Sequence, residues 1–217
     1  MVPITFIQRD KKRALKSLIV IGTSTGGPQA LTTLFSSLPL ISGAACLIVQ
    51  HMPKGFTANL AKRLNQLSEW NLKEAEDGEP IMEGVAYIAP GGFQLRLQVI
   101  NKDLTLSVQA DGPVNGHQPS VDSLFFSVAE LWQGSVIGVI MTGMGKDGAN
   151  GLMEIRKKGG YTIAEAEGTC VVYGMPKAAV SMGAAVQVIS LADIASTIAE
   201  KLNHSGELNM LSVRSDT

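Results

Sequence analysis

Apolar positions along the chain fall into short unbroken runs, and stretches of helical period separate them. "LIVIG" at 18–22, "ACLIVQ" at 45–50 and "VIGVIM" at 136–141 are apolar almost throughout. Such runs mark strands buried on both faces. A helix is expected near 27–37 after the first and near 56–67 after the second. "GANGLMEIRKKGG" follows the third as a helix ending at Gly159-Gly160. "SVDSLFFSVAELW", 120–132, has helical period, with Ser120 or Asp122 as its cap. "GVAYIAP" (84–90), "YTIAEA" and "VQVIS" read as further strands, and "MPKAAVSMGAA" and "LADIASTIAEKL" as helices. "FQLRLQVI" and "LTLSVQ" alternate with period two on either side of Asn101-Lys102-Asp103, which predicts an antiparallel hairpin. "LKEAEDGEPI" is polar and is expected to run along the surface, with Glu74, Glu76, Asp77 and Glu79 solvated. Residues 1–16 and 204–217 read as tails around one domain, 17–203. Strands alternating with helices predict an α/β fold: a doubly wound, mostly parallel sheet with helices on both faces, plus an antiparallel β-hairpin.

Composition narrows the function. The 217 residues suit one large domain or a domain with a small subdomain, and the 45% hydrophobic content can fill a core. A formal net charge of −1 gives no global electrostatic case for nucleic acid. No apolar run reaches the roughly 18 residues of a membrane span. The N-terminal segment has Lys and Arg but no apolar signal core after them. Cys46 and Cys170 make neither a CxxC pair nor a disulfide framework. The cytoplasm is therefore the expected compartment.

Candidate chemistry sits where such sheets carry it, at the carboxyl ends of strands. Ser24 follows the first strand in Gly-Thr-Ser-Thr-Gly, His51 follows the second in "IVQHMPKG", and Asp147 follows "VIGVIM" in "TGMGKDGA". A hydroxyl, an imidazole and a carboxylate at neighbouring strand ends have the chemistry of nucleophile, base and orienter. Each also has a plainer reading. Ser24 or Thr25 can cap the following helix. His51 can bond a backbone carbonyl, and His117 is a rival base. Asp147 can place charge at the start of its own helix. The glycine run lacks the Lys-Ser/Thr ending of a phosphate loop and the spacing of a dinucleotide loop. The histidines and cysteines lack metal-ligand spacing, so no metal and no cofactor is expected. The order Ser, His, Asp also differs from that of α/β-hydrolases.

Six stretches together resemble one family: "IGTSTGGPQAL", "IVQHMPKGFT", "AYIAPGG", "QPSVDSLFFSVA", "GVIMTGMGKDGANGL" and "TCVVYGMPKAAV". They are similar, in order and over roughly residues 17–202, to the catalytic domain of the chemotaxis protein-glutamate methylesterases, CheB. The resemblance implies a hydrolase of glutamate methyl esters on the cytoplasmic helices of chemoreceptors, many members also deamidating glutamine. It implies Ser24 as nucleophile, His51 as base and Asp147 as acid. It implies the backbone N–H groups of Thr25 and Met144 as oxyanion donors.

The chain departs from that pattern in places. The family carries a receiver domain ahead of this one, and only the segment 1–16 precedes the first strand, which reads as a linker remnant. Gln118 stands where Arg is common, and Gln94 where His often is. These departures bear on docking more than on chemistry. Phe93, Gln94, Arg96, Lys54 and Arg63 are candidate receptor contacts by position. A non-catalytic binding domain and a hydrolase of another acyl substrate are the competing classes.

Overall fold

The computed structural model describes residues 15–212. In chain order the elements are β1 (Ser17–Thr23), α1 (Gly27–Phe35), β2 (Ala44–Gln50), α2 (Thr57–Asn65), β3 (Asn71–Glu74), β4 (Val85–Ile88), β5 (Gln94–Ile100) and β6 (Asp103–Gln109). Then come α3 (Val121–Leu131), β7 (Ser135–Ile140), α4 (Ala149–Lys157), β8 (Tyr161–Glu165), α5 (Met175–Ser181), β9 (Gln187–Ile189) and α6 (Leu191–Ser212). Seven strands form one sheet in the order β3-β4-β2-β1-β7-β8-β9. Every pairing in it is parallel. The hairpin β5–β6 is a separate antiparallel pair. Its turn uses Asn101 and Lys102, both at positive φ, the backbone that matches strand twist in two-residue turns.

The sheet is parallel because both faces of its central strands are apolar. Along β1, Ile19 and Ile21 join one core with Leu31 and Leu34 of α1, Leu60 and Leu64 of α2, and Ile194 and Ile198 of α6. Leu18 and Val20 point the other way, into a core with Leu95 and Leu106 of the hairpin, Leu124 and Phe125 of α3, and Leu152 of α4. Period two on one strand thus feeds two helical layers. Among the described residues, no helix is long and apolar enough to cross a membrane.

Two expectations are corrected. The segment read as polar surface begins with β3, whose Asn71–Glu74 pairs in register with Val85–Ile88. Only Leu72 of β3 is buried in the core, so this four-residue edge strand carries too little apolar pattern to be seen. Around it the acidic reading holds in part: Glu76 and Asp77 are exposed, whereas Glu74 accepts a hydrogen bond from the Thr57 hydroxyl. Helix α6 runs on to Ser212, past the end expected near Leu202, carrying Gly206 within it at a cost of up to about 1 kcal/mol relative to Ala. The tail expectations for 1–14 and 213–217 lie outside the described residues.

Candidate active site

Ser24 leaves β1 into a turn whose Gly26 has φ +82, a conformation glycine takes without steric cost. Gly26 is also the N-cap of α1, and no side chain caps that helix. Ser24 and Thr25 are therefore not caps. The Ser24 N–H donates to the Thr142 carbonyl at 3.0 Å, which joins this turn to the segment after β7. A Cβ on Gly143 would lie 2.8 Å from Ser24 Cβ and would also strike the Met175 sulfur. Glycine at 143 is what lets the acid-bearing loop pass so close to Ser24. Thr142 ties the neighbourhood together: its hydroxyl donates to the Thr25 carbonyl and accepts from the Val172 N–H. Its own N–H donates to buried Glu165 at 2.8 Å.

His51 follows β2. The parallel register pairs Thr23 with Gln50, so Ser24 and His51 leave their strands side by side. The His51 N–H donates to the Thr23 carbonyl at 3.0 Å. The Gln50 amide then donates to the carbonyls of both Ser24 and His51, each at 2.9 Å. At the ring, Nε2 lies 2.8 Å from Asp147 Oδ2, and Nδ1 is buried with no hydrogen-bond partner in the protein.

Asp147 is buried, and it does not serve α4, whose N-cap is Gly148. Its carboxylate turns to the start of α3. Oδ2 accepts the Val121 N–H at 2.7 Å, and Oδ1 accepts the Ser120 hydroxyl at 2.8 Å and the Asn115 amide at 2.9 Å. Burial by itself would raise this carboxyl's pKa. The hydrogen bonds from His51, Asn115, Val121 and Ser120 outweigh it and hold the value at about 2. Asp147 is thus an anion at neutral pH. His51 Nε2 must then carry the proton it shares with Asp147, which leaves Nδ1 of the neutral ring as an acceptor. Ser120 is also the N-cap of α3, accepting from the Ser123 N–H, as one of the two sequence expectations had it.

The acid linkage has a definite sign. Asp147's folded-state pKa lies below its ordinary 3.8, so ionisation stabilises the fold above pH about 4. That contribution, about 2 kcal/mol, is lost as pH falls from about 4 through about 2. Urea unfolding across this range should show the stability gap between the chain and its Asp147→Asn variant shrink by that amount. A pH-independent gap would contradict the assignment.

Sequence reasoning missed Asn115 and gave Asp122 and His117 other roles. Asn115 bridges Asp147 and Asp122, with Nδ2 2.8 Å from Asp122 Oδ2. Asp122 is buried, and burial, with the Asp147 charge adding to it, pushes its pKa up despite the Gly151 N–H it accepts. His117, weighed as a rival base, has its ring stacked on His51 at 3.8 Å between centroids. The signal for these residues was the Asn115-Gly116 pair, which marks a tight turn just ahead of α3.

Gln94 is fully buried: Nε2 donates to the carbonyls of Gly112 and His117, and Oε1 accepts the Ser120 N–H. It cannot grip a partner, and that expectation is withdrawn. Arg96 is committed to Ser123 and Asp111, and Arg63 reaches the Pro28 carbonyl of α1. Lys54 lies over the Phe93 ring at 5.4 Å and stays exposed. Thr25 and Met144 are exposed beside Ser24, and neither N–H donates to an acceptor among the described residues. Cys46 lies in the core, where burial pushes its thiol pKa up. Burial and then Glu165 push that of Cys170 to about 12.

Residues 19–198 match the family model described as CheB methylesterase. A protein-glutamate methylesterase/protein-glutamine glutaminase of Halalkalibacterium halodurans is 51% identical over 183 residues, covering 84% of this chain and 53% of that protein. The Bordetella bronchiseptica protein of the same name is 46% identical over 192 residues, 88% of this chain and 55% of that one. The chain spans about half the length of these curated relatives. The crystal structure of the Thermotoga maritima CheB methylesterase catalytic domain superposes with a TM-score of 0.78 at 43% identity, over 85% of this chain and 96% of that one.

Proposed function

Because the chain belongs to the CheB methylesterase family, we propose that it is a serine hydrolase acting on methylated glutamates, and on glutamines, in the cytoplasmic helical region of chemoreceptors. Residues 17–203 form the catalytic unit. The single observation that carries the reading is the buried His51 Nε2–Asp147 Oδ2 pair at 2.8 Å, with Ser24 on the neighbouring strand end.

The chemistry follows from the protonation states. Ser24 Oγ attacks the γ-carbonyl of the methylated glutamate and gives its proton to His51 Nδ1. Asp147 stabilises the imidazolium through Nε2. The N–H groups of Thr25 and Met144 face the oxyanion, an effect worth roughly 2.7–4 kcal/mol per donor. The imidazolium then protonates the departing methoxide, and methanol leaves. Water, deprotonated by His51, attacks the acyl-enzyme and frees Ser24 and a glutamate. For glutamine the leaving group is ammonia. No metal or cofactor enters any step.

Exposed Met144, Val171 and Phe56 stand on the loops after β7, β8 and β2, at the same strand ends as Ser24. They suit the apolar face of an amphipathic helix. The test is methanol release from receptor-helix peptides carrying glutamate γ-methyl ester, with ammonia release from the glutamine form alongside. Release of methanol supports the reading; a folded chain that releases neither product overturns it.

A further inference from the structure

We propose that His117 is a positioning residue for the base: the turn Val114–His117 lays its ring flat on His51 and so fixes the plane in which His51 links Asp147 to Ser24. The proposal rests on the esterase reading above and adds a component to it.

The geometry carries the inference. The rings are 3.8 Å apart between centroids and 8° from parallel. His51 is held at one edge only, through Nε2 on Asp147, while its Nδ1 has no partner in the protein. A ring pinned at one nitrogen can still pivot about that bond. A flat surface against its face removes the pivot, and His117 supplies one. His117 itself is held firmly. Its N–H and carbonyl pair with those of Val114 at 2.9 Å, and Gln94, fully buried, donates to the same carbonyl at 2.9 Å. The two residues between are Asn115 and Gly116, both at positive φ, a compact hairpin turn. The same turn sends Asn115 to Asp147 Oδ1. One four-residue turn therefore braces both the base and the acid. His117 is not the base: the carboxylate bonds His51, and no carboxylate orients His117.

Stacking also requires that His117 stay neutral while His51 takes up a proton. The ionisable groups acting on His117 are His51, on the loop after β2, and Asp147, on the loop after β7. Burial and then the nearby His51 lower its pKa, which agrees with a neutral ring.

The test compares the chain with His117→Ala and His117→Phe by methanol release and by proton NMR. Alanine removes the flat surface; phenylalanine keeps it without a titrating group. The alanine variant should lose about tenfold or more in kcat with KM changed by less than about threefold, and phenylalanine should recover most of that loss. The downfield proton shared by His51 Nε2 and Asp147 should vanish by exchange in the alanine variant and persist in the phenylalanine one. An alanine variant within about threefold of the parent in kcat, or a phenylalanine variant that falls as far as alanine, overturns the proposal. If the parent chain releases no methanol, the esterase reading fails and the resonance alone decides. Loss in alanine with retention in phenylalanine then upholds the brace, and any other pattern overturns it.

Discussion

Ser24→Ala is expected to lower kcat for methanol release by a factor on the order of a million and to leave the thermal unfolding midpoint where it is. The two halves of that expectation have different origins. The catalytic loss follows, under the proposed mechanism, from removing the atom that forms the acyl bond. The unchanged stability follows from what Ser24 Oγ does in the folded chain, which is to donate to no protein acceptor among the described residues. Helix α1 takes Gly26 as its cap, so the hydroxyl contributes nothing there. The residue is only half-buried, and its backbone N–H bond to Thr142 survives the substitution. Calorimetry and single-turnover methanol release on the same preparation separate the two. A midpoint lowered by several degrees, with activity falling only in proportion, would make Ser24 a structural residue after all.

Asp147→Asn is expected to behave differently, costing both activity and stability. An amide offers one oxygen where the carboxylate offers two, and each carboxylate oxygen accepts at least two hydrogen bonds. In either orientation its NH2 group meets donors. Turned toward Oδ2 it faces the Val121 N–H and His51; turned toward Oδ1 it faces Ser120 and Asn115. A buried donor left unpaired costs about 1–3 kcal/mol. At the ring the consequence is larger. An amide that donates to Nε2 forces the proton of neutral His51 onto Nδ1, so the nitrogen that takes the Ser24 proton in the proposed mechanism becomes a donor and cannot accept it. The expected fall in kcat is about ten-thousandfold. Steady-state methanol release beside urea unfolding at neutral pH checks both parts. An Asp147→Asn variant with activity within about tenfold of the parent would remove Asp147 from the mechanism.

The central strands were legible because the sheet buries both their faces. The runs at 18–22, 45–50 and 136–141 needed no partner to be recognised. Ser24, His51 and Asp147 drew attention for a related reason: a parallel sheet carries its chemistry at carboxyl ends, and the fold does set these residues there, with His51 bonded to Asp147. What stayed hidden depends on contacts across the chain. β3 has one core residue, and its pairing partner β4 decides that it is a strand. That Asp147 serves the start of α3 rather than α4 could not be read from its neighbours. The ring nitrogen that meets it is equally a matter of approach angle. His117 looked like a competitor for His51 because a sequence records residue types and not their stacking. Gln94 looked like a surface contact because its place in β5 gives no hint that the loop above closes over it.

The sheet order β2-β1-β7 builds the site from segments far apart in the chain. β1 and β2 follow one another in the chain, and their register in the folded sheet sets Ser24 beside His51. The other edge of β1 pairs with Ser135 and the residues that follow it, and the carboxylate lies further on still. Ser24 and His51 are therefore followed by a long stretch of chain, 96 residues from His51 to Asp147, before the group that orients the imidazole. The same segment brings Gly143 against Ser24. The site is thus complete only with the segment after β7 in place, and under the proposed mechanism a chain that stops short of it lacks the carboxylate that orients its base.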